Sequence, residues 1–322
     1  MLRFFKIGNI CLIFLVKFVV LKDINTQQME FTDNQPQVNH NPVPLINLEN
    51  IIRSKNPRLL KILPSFILEY IRKIIHESDL NTALQLYHDK QGIDFINSIL
   101  KEFKVIVQHE GIENLLLSKR HIIASNHPLG GLDGLALMGV AGSVRSDIIF
   151  PVNDLLLNLP NLRSLFIPIN KHGTNNQNIK IWEDTFASDC SLLYFPAGLC
   201  SRKISHEIID LEWKKTFVSK ARQYQRDVIP TFISGKNSNF FYRLANFRKW
   251  LGIKSNFEML YLVDEMYKQR DKIIKIHFGK PIDYKIFDKR FSDKQWAEQV
   301  KKYVYAIGKG EKADFNTFLD NN

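Results

Sequence analysis

The segment "HIIASNHPLGGLDGLALMGVAG", His121 to Gly142, runs from a β-branched apolar stretch through a proline- and glycine-rich turn into a second apolar stretch of small residues. The first part reads as a buried strand and the last as a helix. His127 follows the strand and therefore projects from its carboxyl end. Gly130 and Gly131 permit a tight return. Asp133 then falls at the start of the helix, where a carboxylate is electrostatically favoured and can cap free N–H groups. If that carboxylate also reaches one imidazole nitrogen, it sets the tautomer and leaves the other nitrogen to take a proton from an alcohol or amine. The same spacing also suits an ordinary turn in which Asp133 is only a cap.

The texture alternates outward from this segment. "DIIFPV", "SLFIPI", "SLLYFP", "DVIPTFI" and "KIIKIHFG" read as further buried strands. Between them, "NIKIWEDTFAS", "DLEWKKTFVSKARQYQR", "NFFYRLANFRKWLG" and "FEMLYLVDEMYKQ" read as helices. Strand and helix in alternation predict an α/β fold with a mainly parallel central sheet flanked by helices, whose reactive loops gather at the carboxyl ends of strands. Before it, residues 45–104 predict an N-terminal helical bundle, broken at Pro64 and with Asp79 as an N-cap. Residues 105–310 form the main domain and 311–322 a polar tail.

A chain of 322 residues can bury one large core or two modest ones. Its formal net charge of +11 favours an anionic partner. No stacking motif or recognition module points to nucleic acid, so no nucleic-acid partner is expected. Cys11, Cys190 and Cys200 give neither a disulfide framework nor a metal-binding pair. Residues 1–44 join a basic, apolar start to a polar linker rich in Asn, Gln and Pro. The apolar run Ile10–Leu21, broken by Lys17, is short for a membrane span. It reads as an interfacial anchor or as sequence upstream of a true start at Met29, with a cleaved signal or a full span as the remaining readings.

Three more strand ends carry candidate groups. "LLYFPAGLCSRK" turns at Pro196 and Gly198 and then presents Ser201, Arg202 and Lys203. "LFIPINKHG" offers Lys171 and His172, and "DVIPTFISGKNSNFFY" ends on Gly235, Lys236 and Asn237. Each alone is a strand end with a basic turn, suited to an anion. Cys200, beside cations, is an alternative nucleophile, whereas His121, His127 and His172 lack zinc-ligand spacing.

In this order the four turns resemble the motifs of the glycerolipid and lysophospholipid acyltransferase family, the PlsC-like enzymes, over roughly Arg120–Pro281. The resemblance implies transfer of a fatty acyl group from a thioester to a lipid hydroxyl. His127 would be the general base and Asp133 its orienting acid. Lys171, Gly198, Ser201 and Arg202 would meet the acceptor, and Pro230 matches the last motif. No cofactor is implied; acyl-carrier protein or acyl-CoA is the co-substrate. Three departures stand out: five residues separate His127 from Asp133 rather than four, Ala197 replaces the glutamate of Phe-Pro-Glu-Gly, and Lys171 replaces an arginine. The whole set is similar to a bacterial branch containing the O-acyltransferases of glycine and ornithine lipids. The expected acceptor is therefore a lyso-aminolipid or 1-acylglycerol-3-phosphate. A protein that kept the fold and bound lipid without catalysis is the alternative.

Phe240, Leu244, Phe247 and Leu251 recur on one helical face among Lys236, Arg243, Arg248, Lys249 and Lys254, with Trp250 at the edge. This pattern fits a helix lying on an anionic membrane surface. A location at the cytoplasmic face of the bacterial inner membrane is expected, peripheral or anchored by the N-terminus.

Overall fold

The computed structural model describes residues 46–152, 156–168 and 176–321. The expected N-terminal anchor and Lys171 lie outside them. The described chain forms two compact units: residues 46–89 with 243–264, and residues 90–168, 176–242 and 265–321.

The first unit opens with helices α1 (Leu48–Lys55), α2 (Pro57–Ile62), α3 (Ser65–Ile74) and α4 (Glu77–Leu86). Asn47 and Asn56 cap the first two, each side chain accepting a backbone N–H three residues on. Pro64 separates α2 from α3, as expected from its lack of an N–H. Leu48, Ile52, Leu59, Leu63, Ile67 and Ile71 form the unit's core. Asp79 is not the cap of α4. His76, with φ of 50°, precedes the helix, and Asp79 sits in its first turn, 3.0 Å from His76 Nδ1.

The second unit contains α5 (Gly92–Glu102), β1 (Ile106–Glu110), β2 (His121–Ser125), α6 (Leu132–Gly142), β3 (Ile148–Val152), β4 (Phe166–Pro168), α7 (Asn176–Ala187), β5 (Ser191–Tyr194), β6 (Arg202–Ile204), β7 (Glu207–Ile209), α8 (Thr216–Tyr224) and β8 (Asp227–Ile233). The chain crosses into the first unit within α9 (Asn239–Trp250) and returns within α10 (Leu262–Tyr267). It ends with β9 (Ile273–Phe278), α11 (Asp293–Gly308) and α12 (Phe315–Asp320). Of the helices expected over 45–104, α5 thus belongs here, with Ile96 and Leu100 set against Gly139 of α6.

Seven strands form the central sheet in the order β1-β9-β8-β2-β5-β3-β4. Its pairings are parallel except β8 with β9, so the sheet is mainly parallel as expected. Ile122, Leu192 and Val228 of the strands meet Phe217 of α8 and Trp296, Val300 and Val304 of α11 in the main core. The carboxyl ends of β2, β5 and β8 lie side by side and deliver three of the four expected turns to one rim.

Three local readings differ. β1 was not foreseen: it is an edge strand, largely exposed, and lacks a continuous apolar run. The helix expected from Asp210 starts only at Thr216, because Asp210 and Trp213 are turned into the core and hold the chain irregular. Residues 257–269 begin as a 3₁₀ turn, Phe257–Tyr261, in which Glu258 is fully buried and pairs with Arg248 at 2.9 Å. No helix among the described residues is long and apolar enough to cross a membrane.

Candidate active site

β2 is buried along its whole length and stops at Ser125, so the next residues must leave the sheet at its rim. Asn126 anchors the departure: its side chain donates to the Ile233 carbonyl at 2.8 Å and accepts the Ile233 N–H at 2.7 Å. The turn that follows bends at Gly130, whose φ of +79° favours glycine. It brings Asp133 back beneath His127. Nδ1 of His127 and Oδ2 of Asp133 are 2.9 Å apart.

Asp133 is fully buried and saturated with donors. Besides the imidazole, Oδ2 accepts the Leu129 N–H at 2.8 Å and the Gly130 N–H at 3.3 Å, and Oδ1 accepts the Gly134 N–H at 2.9 Å. The turn at Gly130 thus does more than return the chain: it aims backbone donors at the acid. Burial alone would raise this carboxyl group. The imidazole beside it and the N–H donors outweigh that and hold it below its usual range.

Burial likewise opposes charge on His127, but the Asp133 carboxylate and its hydrogen bond prevail and hold the imidazole above its ordinary value. A carboxylate at Nδ1 selects the tautomer with the proton there, leaving the Nε2 lone pair for a reactant. The ring stacks on Phe195 at the end of β5, with centroids 4.1 Å apart and planes 17° from parallel. Two neighbours therefore fix its orientation.

The second turn packs under the first. Gly198, with φ of +66°, closes a turn by donating to the Phe195 carbonyl at 3.0 Å. The chain then returns so that the Ser201 N–H donates to the His127 carbonyl at 2.7 Å. Ser201 is buried, and its hydroxyl donates to Asp210 Oδ1 at 2.5 Å. Arg202 is also buried; it donates to the Cys200 carbonyl at 3.0 Å and lies over the Phe241 ring. Its charge is felt by His127. Cys200 is fully buried against Arg202, which closes it to a bulky thioester and removes it as a nucleophile. Ala197 lies in the apolar core with Trp213 and Phe217, where a glutamate side chain would have no room to stay solvated.

Asp210 escaped the sequence reading, where it stood as the first residue of a helix. It accepts the His127 N–H at 3.2 Å, the Ser201 hydroxyl, and the Trp213 indole N–H at 2.8 Å. Its own N–H donates to the Tyr305 hydroxyl at 2.8 Å. Burial raises this carboxyl group, and its neutral donors offset that only in part. The available signal was an acid three residues before a tryptophan in "IIDLEW", which also fits a helix cap. Among the described residues no cluster of His, Cys, Asp and Glu is placed to hold a metal ion.

The acid-held imidazole stands at the rim of the α/β sheet, where the resemblance to the acyltransferases places a histidine and an aspartate. The comparisons agree: a family model described as Acyltransferase matches residues 50–313, and the chain belongs to that family. It is an O-acyltransferase, resembling the enzymes of aminolipids. It is 46% identical to a lyso-glycine lipid O-acyltransferase of Bacteroides thetaiotaomicron over 265 residues, covering 82% of this chain and 97% of the relative. A lyso-glycine lipid O-acyltransferase of Phocaeicola vulgatus is 45% identical over 265 residues, covering 82% of this chain and 95% of that one. Among solved structures, the 1-acyl-sn-glycerophosphate acyltransferase PlsC from Thermotoga maritima is similar with a TM-score of 0.41 and 17% identity, over 77% of this chain and 95% of its own.

Proposed function

We propose that the protein transfers a fatty acyl group from an acyl thioester, on acyl-carrier protein or coenzyme A, to the hydroxyl of a lyso-aminolipid of the lyso-glycine type. The two relatives support the acceptor class, each spanned nearly from end to end. The observation that carries the mechanism is the 2.9 Å contact between His127 and Asp133. With Nδ1 held by the carboxylate, Nε2 takes the hydroxyl proton as the oxygen attacks the thioester carbonyl. The carbon–sulfur bond then breaks, and the imidazolium returns the proton to the leaving thiolate. Asp133 stabilises the imidazolium between the two transfers.

An aminolipid acceptor carries a carboxylate on its head group, and this reading seats that group near the dyad. Arg202 is the buried cation there, and Lys171 is the second cation that the family resemblance implies. Gly198 and Ser201 shape the same turn. The contact between His127 and Asp133 supports catalysis over the non-catalytic alternative, whose remaining motive is Ala197.

The acceptor would be taken from an anionic membrane surface at the cytoplasmic face of the inner membrane. Support comes from the first unit, where Phe66 and Trp250 are 69% and 78% exposed, with Ile62, Phe247 and Leu251 also exposed. Arg58, Lys61, Arg243, Lys249 and Lys254 are exposed in the same unit. Apolar side chains among cations are what an interface binder presents.

The test is turnover by the purified protein with a fatty acyl thioester and either a lyso-glycine lipid or 1-acylglycerol-3-phosphate. Faster acylation of the aminolipid, strongly lowered in His127→Ala, is expected. Preference for the glycerophosphate would reverse the acceptor assignment, and full activity in the variant would remove His127 from the mechanism.

A further inference from the structure

A concave site opens near the end of β8, on residues that the dyad does not use. It is a pocket of about 300 Å³ whose lining includes Lys203, Lys236, Lys268, Lys272 and His206 and no carboxylate. Three separate pieces of chain supply the lysines: the start of β6, the loop after β8 and the turn before β9. Asn237 lines it too and is 4% exposed, yet neither the oxygen nor the nitrogen of its side-chain amide has a hydrogen-bond partner. Buried amides are almost always satisfied, and an exception calls for a missing partner. Nearby, Glu265 takes both the N–H and the hydroxyl of Ser238 and pairs with Lys268 at 2.8 Å. The three other lysines leave the pocket cationic.

The pocket is tied to the dyad through the backbone. Gly235, one residue before Lys236, lies so close to Leu129 of the His127 turn that a methyl group there would approach its side chain to 3.0 Å. Lys203 follows the Ser201–Arg202 pair directly.

We infer that this pocket binds the phosphate of the acyl donor's pantetheine arm, with the Asn237 amide and the lysine ammonium groups as its donors. The inference rests on the thioester reading above. Ammonium groups on flexible stems suit a phosphate as point charges. A second, outlying cationic pocket is what a donor needs when its thioester and its phosphate lie at opposite ends of one arm. Coenzyme A and acyl-carrier protein share that phosphate, so the chemistry is common to both sources.

The experiment measures kcat/KM for one acyl chain on coenzyme A, on carrier protein and on pantetheine, which lacks the phosphate. In Lys236→Ala and in Lys272→Ala, the ratio of the phosphate-bearing donor to acyl-pantetheine should fall about tenfold, the loss of one charged hydrogen bond. The fall appears in the coenzyme A arm, the carrier-protein arm or both, and so identifies the source. Asn237→Leu should lower the same ratio while melting no lower than wild type, since it removes a buried unsatisfied amide. An unchanged ratio in every arm, or a rise confined to the acceptor KM, overturns the site. Calorimetric titration of wild type and Lys236→Ala with 4′-phosphopantetheine and with pantetheine decides the same point without turnover. A preference for the phosphorylated compound, lost in the variant, upholds the site even if the acceptor assignment fails. Equal affinities overturn it.

Discussion

Two histidines stand at the two ends of β2, six positions apart, and the protein treats them in opposite ways. His121, at the amino end, is fully buried, with Nδ1 against the Ser118 carbonyl at 3.0 Å and Nε2 against the Ser191 hydroxyl at 2.6 Å. Burial pulls it down to about 4, so it stays neutral and inert. His127, at the carboxyl end, has a carboxylate on one nitrogen and is pushed up instead. Both have a partner at Nδ1. On the proposed mechanism, what separates the structural histidine from the general base is that the partner carries charge and that the second nitrogen is left uncommitted.

Removing the working imidazole should have the largest effect. His127→Ala is expected to lower kcat/KM by about 10³-fold, within the usual worth of a general base, with melting unchanged as the control. Next, Asp133→Asn should make His127 resemble its counterpart. Activity is expected to fall by about 10²-fold, and the acidic inflection of the rate profile should move down. The sign follows from the role: the base must be neutral, so activity rises with pH through the His127 value, which the acid holds above the ordinary 6.5. An inflection that stays in place in the variant would break the contrast between the two residues.

His121→Gln probes the other side and should cost stability rather than chemistry, about 1–3 kcal/mol by chemical denaturation. Its folded value lies below the unfolded one, so its neutral form contributes stability above pH 6.5. That contribution drains away as pH falls towards 4 and amounts to about 3 kcal/mol in total. The variant should flatten this part of the acid-denaturation curve. Smallest of the four, Asp210→Asn should lower kcat/KM about tenfold. The amide keeps one acceptor oxygen, so it can hold the His127 and Ser201 donors or the Trp213 N–H but not both sets, and it drops a negative charge that favours the imidazolium. Its rate inflection should shift in the same direction as in Asp133→Asn, and by less.

The sequence revealed the strand–turn–helix at His121–Gly142 because its local chemistry agrees at every level: a β-branched strand, a glycine turn, and an acid at a helix start. The Ser201 and Arg202 turn was legible for the same reason. The hairpin of β6 and β7 was not, since strands of three residues, "RKI" and "EII", are too short to display a period. Asp210 was invisible because its partners, Ser201, Trp213 and Tyr305, are assembled by tertiary structure from three parts of the chain. Asn237 could be read as the end of a strand, whereas the emptiness around its amide exists only in three dimensions.

The reversed direction of β9 has its own consequence. A parallel strand in that position would send its leading residues to the opposite face of the molecule. Running backwards, with Ile233 opposite Ile276, it places its entrance, not its exit, beside the working rim. Lengthening or recharging the short connection at Arg270–Lys272 would therefore reshape the lysine-lined pocket from its own side, while the turn between His127 and Asp133 stayed untouched.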